Sequence, residues 1–378
     1  MRQGLESWGL WGLWGLRSRR GGIRVLVLAS LRHLKRQTGS TLMADRGRSD
    51  GGCDDADDDD SGGSRLRIEL VSRSPLMLVV REFLTAAECS ELTSISLLIS
   101  RPMPVANQPL KLVGSIATNW ALLSVEQQRL LQTIERRIGA VLDTPPHAGE
   151  MSLVFNNTMP YESREAEPAL VDQGLHVDTQ NQRPRRFFTA IIYLNSLDEA
   201  AGGATVFPLA VPLSTGSSSE PAHEQQASEE AAVAAAHGLV RRGVTHSQSP
   251  KVAGHHDNEA AVELMEHAVR TRQGVRVQPT QGLCALFFSR CDDGHIDPRS
   301  WHAGMNVLGQ HSFKITLQKF KEVPALPDEE NELQQLLQQH DSSGNGNDDN
   351  VYDSVVAPSF AAYVRERRQR VLARAIDS

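Results

Sequence analysis

The sequence predicts an α+β chain, mainly β at its centre, with a jelly-roll core behind N-terminal packing helices. Three observations in the 378 residues carry that prediction. From residue 150 the apolar residues recur with a period of two, in eight strand-like runs separated by turn residues. Upstream, two capping-box patterns each open a helix. Among the strands, Gly174-Leu175-His176-Val177-Asp178-Thr179 sets a histidine and an aspartate two residues apart. On a strand both side chains point to one face, and Val177 turns away.

Residues 1–64 read as a disordered leader or a targeting extension. From Met1 to Ala44 the only acid is Glu6, against seven arginines and Lys35, a bias shared by mitochondrial transit segments. Met43 is an alternative start. The acidic, Gly-rich run through Asp54 and Asp60 repels itself and reads as a linker. A single folded unit is expected over 65–324. Arg67 to Val71 and Leu76 to Val80 are short strand-like runs. Thr85 with Glu88, and Ser124 with Gln127, open two helices. Leu130, Ile134, Ile138, Val141 and Leu142 give the second an apolar stripe, and Asp143-Thr144-Pro145-Pro146 ends it.

The eight β runs are Met151 to Phe155, Gly174 to Asp178, Phe187 to Leu194, Ala204 to Phe207, Val275 to Gln278, Leu283 to Ser289, Trp301 to Val307 and Ser312 to Phe320. Eight strands of this spacing fit a jelly-roll. Residues 209–274 interrupt the series. They are rich in Ser, Ala, Glu, Gln and His, and read as a polar surface insertion without a core of its own. Its histidines (His223, His237, His246, His255, His256, His267) show no recurring ligand spacing. Residues 325–378 form a polar tail with helix candidates at Asp328 to His340 and Ser359 to Ala375.

Composition narrows the function classes. A net charge of −7 gives no support for general nucleic-acid binding. Cys53, Cys89, Cys284 and Cys291 include no C-x-x-C pair, so neither a disulfide framework nor a zinc site is indicated. No apolar run approaches the ~18 residues of a membrane span. The expected location is the cytoplasm, or mitochondria or the endoplasmic reticulum if the Arg-rich N-terminus is a targeting segment.

His176 and Asp178 supply two ligands of a 2-His-1-carboxylate triad, the set that holds non-haem Fe(II) with positions left open. The third is assigned to His302 in Ser300-Trp301-His302-Ala303-Gly304, with His295 and His311 as alternatives. Near the end of the core, Ser312, Lys314, Thr316 and Gln318 share one strand face. Phe313, Ile315, Leu317 and Lys319 share the other. Lys314 therefore points with the polar set into the barrel mouth, where a buried ammonium needs an anion.

Five segments in order then carry a resemblance. They are His176-Val-Asp178; Thr189-Ala-Ile-Ile-Tyr193-Leu-Asn195; Gly202-Gly-Ala-Thr-Val-Phe207-Pro208; Val275-Arg-Val-Gln-Pro279-Thr-Gln-Gly282-Leu-Cys-Ala-Leu-Phe287; and Ser300-Trp-His302-Ala-Gly304-Met-Asn-Val307, leading to Lys314 and Lys319. Over roughly 68–323 the chain resembles the prolyl 4-hydroxylase-like branch of the Fe(II)- and 2-oxoglutarate-dependent dioxygenases. The resemblance implies a double-stranded β-helix core and Fe(II) held by His176, Asp178 and His302. It implies 2-oxoglutarate as co-substrate, anchored by Lys314, with Tyr193 and Thr189 donating to the same carboxylate. L-ascorbate is the implied reductant. The implied reaction takes O2 and 2-oxoglutarate, releases succinate and CO2, and hydroxylates an unactivated C–H bond. The first substrate expectation is a prolyl residue in a peptide or protein. The alternatives are another side chain or small molecule, or a catalytically silent binding module. Two features depart from the pattern. The step from His302 to Lys314 is long, which keeps Lys319 as a competing anchor. Tyr161 lies too far before His176 to stand for the family's tyrosine at that place.

Overall fold

The structure, a computed structural model, describes residues 67–103, 111–160, 174–179, 183–213, 223–309, 312–342 and 356–376. The leader assigned to 1–64, His311 and Tyr161 lie outside the described residues.

Two antiparallel sheets form the core, as a jelly-roll requires. The large one holds β1 (Ile68–Arg73), β2 (Leu76–Val80), β3 (Arg101–Met103), β4 (Lys111–Ser115), β5 (Val154–Thr158), β6 (Arg186–Tyr193), β9 (Cys284–Phe288) and β11 (Lys314–Glu322). Its spatial order is β1-β2-β9-β6-β11-β5-β4-β3. The small sheet holds β7 (Thr205–Phe207), β8 (Val275–Val277) and β10 (Ala303–Gly304), in the order β10-β7-β8. Phe207, Val275 and Val277 of the small sheet meet Met77, Ile191, Ala285 and Phe287 of the large one in a buried apolar layer.

Two helices start where their caps predict. In α1 (Ala86–Ile99) the Thr85 hydroxyl accepts from the Glu88 amide at 3.1 Å. The Thr85 amide donates back to Glu88 Oε2 at 2.8 Å. In α2 (Val125–Leu142) Ser124 and Gln127 repeat the arrangement, and Asp143 ends the helix with φ at 52°. Leu131, Ile134 and Ile138 of α2 are buried. Below them, Lys319 and Lys321 of β11 meet the half-buried Glu135 and the enclosed carboxylate of Glu150 instead of apolar groups. Lys319 Nζ lies 2.9 Å from Glu135 Oε1 and 3.2 Å from Glu150 Oε2, and Lys321 Nζ lies 2.5 Å from Glu150 Oε1. The alternation of β11 is therefore as read, and Lys319 faces away from the barrel mouth.

Several boundaries differ from the expectation. The run Met151 to Phe155 is β5 three residues later, at Val154–Thr158. Its asparagines suit a strand because tertiary partners satisfy them. Asn156 Nδ2 donates to Gln318 Oε1 at 2.7 Å, and Asn157 Nδ2 to Ser96 Oγ at 3.0 Å. Residues 174–178 form isolated bridges at His176, not a ladder. The expected strand Trp301 to Val307 shrinks to β10.

The segment 209–274 departs most from its reading. It carries α3 (His223–Arg241) and α4 (His256–Arg270). Ala232, Ala236, Leu239 and Val240 of α3 and Ala261, Met265 and Val269 of α4 are buried together with Leu175, Val177 and Trp301. The segment thus shares a core with the two stretches that carry His176 and His302. The expectation of a coreless surface loop fails because Ala232, Ala236, Leu239 and Val240 recur at i, i+4, i+7 and i+8, an apolar stripe hidden by small residues. The tail is likewise packed. It forms α5 (Glu329–Ser342) and α6 (Pro358–Ile376), and Phe360, Val364 and Val371 of α6 are buried. The Tyr363 ring meets Phe187 edge-on, centroids 5.8 Å apart. Among the described residues no helix is long and apolar enough to cross a membrane.

Candidate active site

Three predicted ligands converge. One nitrogen each of His176 and His302 and one oxygen of Asp178 lie within 4.8 Å of one another. His176 Nε2 is 3.7 Å from Asp178 Oδ1, and His302 Nε2 is 3.6 Å from Asp178 Oδ2. The backbone brings the two imidazoles together by a reciprocal pair. The His176 amide donates to the His302 carbonyl, and the His302 amide to the His176 carbonyl, each at 2.9 Å. A narrow bridge between residues far apart in sequence thus builds the site.

Each histidine is oriented through its other nitrogen. His302 Nδ1 donates to the Ser300 carbonyl at 2.9 Å, and His176 Nδ1 to the Gly174 carbonyl at 3.3 Å. In the neutral rings this puts the proton on Nδ1 and leaves the Nε2 lone pair for a metal. Phe207 stacks on the His302 ring at 5.1 Å and Phe287 meets its edge at 4.8 Å, which fixes the ring plane. Burial first, and then the neighbouring His302, push the His176 imidazole down to about 3, against the pull of Asp178. For Asp178, burial acts to raise the carboxyl. The charges of His302 and His176, the Thr189 hydrogen bond and Arg186 outweigh it and hold the group below its usual range. Neutral imidazoles and an ionised carboxylate are the protonation states that ligate a divalent cation.

Lys314 lies across the same cavity, which has a volume of about 290 Å³. Its Nζ donates to Thr205 Oγ1 at 3.3 Å and sits 5.5 Å above the Tyr193 ring. Gly304 leaves room there, since a Cβ at that position would lie 3.7 Å from Nζ. Thr316 and Gln318, on the same face of β11, also line the cavity. The competing anchor Lys319 is tied to Glu135 and Glu150 on the opposite face.

Two expected anchor residues have other partners. Thr189 Oγ1 donates to Asp178 Oδ2 at 2.7 Å, so its hydroxyl orients the carboxylate ligand. The Tyr193 hydroxyl donates to Thr205 Oγ1 at 2.8 Å, and burial weakens its acidity, which keeps it a neutral donor. Thr205, which sequence reading passed over, accepts from both Tyr193 and Lys314 and lines the cavity. With its oxygen lone pairs engaged, its own O–H is the group left to donate into the cavity. Arg186 was also passed over. Its Nη1 donates to the Asp178 carbonyl at 3.1 Å, and its guanidinium lies 4.1 Å above the Phe320 ring. His295 accepts a 2.9 Å hydrogen bond from the Cys291 amide at its carbonyl and lies outside the ligand cluster.

The donor set fits iron: two imidazole nitrogens and one carboxylate oxygen on one side, leaving the cavity side for other ligands. The buried ammonium of Lys314, with the Thr205 hydroxyl beside it, fits the far carboxylate of a dicarboxylic keto acid.

No protein-family model matches the chain. Prolyl 4-hydroxylase 1 of Arabidopsis thaliana is 26% identical over 256 residues, which cover 66% of this chain and 71% of that protein. Probable prolyl 4-hydroxylase 8 of the same plant is 29% identical over 159 residues, covering 41% of this chain and 52% of that one. Similar solved structures include the viral collagen prolyl hydroxylase of Paramecium bursaria Chlorella virus-1 in its 2-oxoglutarate complex. Its TM-score is 0.35 at 12% identity, covering 65% of this chain and 93% of that one. A prolyl hydroxylase of Trichoplax adhaerens in complex with a peptide fragment of hypoxia inducible factor gives 0.36 at 11% identity, covering 65% and 83%. The chain is thus similar in sequence to plant prolyl 4-hydroxylases, and its two-sheet core carries a ligand triad that suits a Fe(II)- and 2-oxoglutarate-dependent dioxygenase.

Proposed function

We propose that this enzyme hydroxylates a prolyl residue in a peptide or protein, consuming O2 and 2-oxoglutarate and releasing succinate and CO2. The observation that carries the co-substrate assignment is the placement of Lys314 on one wall of a cavity whose other wall is His176, Asp178 and His302. The prolyl assignment is supported by the likeness to plant proteins described as prolyl 4-hydroxylases. A bound Fe(II) supplies O2 activation and oxidative decarboxylation of the keto acid. The chain's own groups bind and orient. His176, Asp178 and His302 hold the metal from one side, and Lys314 with Thr205 fixes the distal carboxylate. Ile191 and Phe320 also line the cavity and would offer apolar surface to the keto acid's methylene groups. L-ascorbate is the proposed reductant for metal that has oxidised without product.

The test combines purified chain, Fe(II), 2-oxoglutarate, ascorbate and proline-containing peptides. Succinate release stimulated by peptide, with gain of one oxygen on a proline, is the expected result. Succinate release without any oxidised peptide would redirect the substrate to another side chain or a small molecule. Absence of succinate in every condition would leave a catalytically silent binding module.

A further inference from the structure

The segment 209–274 brings a third histidine to the cavity, and the metal chemistry does not use it. Residues 245–247 run antiparallel to 175–177. The Val177 amide donates to the Thr245 carbonyl at 3.0 Å, and the Ser247 amide donates to the Leu175 carbonyl at 2.8 Å. His176 therefore bridges His302 on one side and His246 on the other. Gly174 permits this close approach, because a Cβ there would collide with the Ser247 hydroxyl. The His246 ring lies nearly parallel to that of His176, centroids 5.6 Å apart at 18°. It lines the cavity that holds Asp178 and Lys314, yet stands outside the three-ligand cluster.

The tautomer of His246 follows from its own loop. The Gln248 amide donates to His246 Nδ1 at 3.1 Å. A backbone N–H can only donate, so Nδ1 is the acceptor and the neutral ring carries its proton on Nε2. His176 and His302 are arranged the other way, with Nδ1 donating and the Nε2 lone pair available. The cavity thus holds two imidazoles set as ligands and one set as a hydrogen-bond donor. Two further contacts make the segment a fixed wall. Arg299 Nη1 donates to the Leu209 carbonyl and to Glu229 Oε1 of α3, each at 2.6 Å. That ties the wall to the turn that carries Ser300 and His302.

We propose that His246 is a substrate-binding residue whose Nε2–H donates to a backbone carbonyl of the peptide being hydroxylated. The proposal rests on the prolyl-peptide reading above. A proline-containing segment favours the polyproline II conformation, whose carbonyls have no internal partners. Proline also lacks an N–H, so a site that holds it by its backbone must offer donors, as His246 does. Set one strand from His176, the donor would hold the chain beside the metal face without entering the coordination sphere.

The experiment uses the full chain with Fe(II), 2-oxoglutarate and the proline-containing peptides above, oligoproline among them, and reads peptide KM separately from kcat. Loss of one such hydrogen bond is expected to raise peptide KM roughly five- to thirty-fold. His246→Ala and His246→Phe should both show it, the second keeping a ring against His176, with the KM for 2-oxoglutarate much less changed. His246→Gln, which retains an N–H donor, should recover most of the loss. Peptide KM within about twofold of the parent in both the Ala and Phe variants overturns the proposal and leaves the prolyl reading intact. So does an equal rise in both KM values, which would mark a structural role. A parent enzyme that releases succinate but oxidises no peptide overturns both.

Discussion

Replacing Thr189 by valine removes one hydroxyl from β6 and almost nothing else, since the two side chains have nearly the same shape. The hydroxyl is 2.7 Å from Asp178 Oδ2 and the residue is 1% exposed, so water cannot replace it. A hydrogen bond from a neutral donor to a carboxylate is worth ~1.5–3 kcal/mol. That converts to a loss of roughly ten- to hundred-fold in metal affinity, the range typical of contacts that orient a ligand. Anaerobic Fe(II) titration of the purified variant, with Co(II) absorption as a second readout, measures it. Thr189→Ser should keep most of the affinity. The same pair of variants separates the observed contact from the expectation that Thr189 serves the co-substrate. In that case the KM for 2-oxoglutarate would rise and metal affinity would hold. A Thr189→Val protein that binds Fe(II) within about twofold of the parent would refute the reasoning.

Four further outcomes are expected. Lys314→Ala should raise the KM for 2-oxoglutarate roughly ten- to hundred-fold with Fe(II) affinity nearly unchanged, since its ammonium is the cation beside Thr205. Lys319→Ala should instead lower stability by about 1–3 kcal/mol, because it takes the partner from Glu135 while Lys321 still pairs with Glu150; unfolding curves and co-substrate kinetics distinguish the two lysines. Deleting 209–274 should give insoluble or unfolded protein, because Leu239, Val240 and Met265 cover Leu175, Val177 and Trp301; a soluble, cooperatively unfolding product would contradict the shared core. The metal-free protein should lose stability as pH falls. His176 ordinarily protonates near 6.5 but does so near 3 when folded, so the unfolded chain takes up the proton first and stability declines between those values. Melting temperature against pH measures this, and His176→Gln should flatten the slope.

Much of the site was legible locally. His176 and Asp178 are two residues apart on an extended segment, and that spacing alone sets them side by side. The alternation in β11 separated Lys314 from Lys319 without any knowledge of what either faces. Both capping boxes were readable because their bonds span three residues. Strand boundaries slipped where the strand is polar and its hydrogen bonds go to distant partners, as in Asn156 and Asn157 of β5. The α3 stripe was present in the sequence but composed largely of alanine, so the segment looked like filler.

The sequence by itself determined the two capped helices, most of the core strands, the ligand pair and the face on which Lys314 stands, because each rests on contacts within a few residues or on the period of a strand. Only the tertiary structure decided the rest. It set β9 beside β6 and β6 beside β11, pairings whose partners are far apart in the chain. It gave the Thr189 hydroxyl to Asp178 and joined Thr205 to Lys314. It turned an apparent loop into the wall that carries His246. Such contacts form when chain segments distant in sequence close on a common core, and no local pattern states which surface a given side chain will meet.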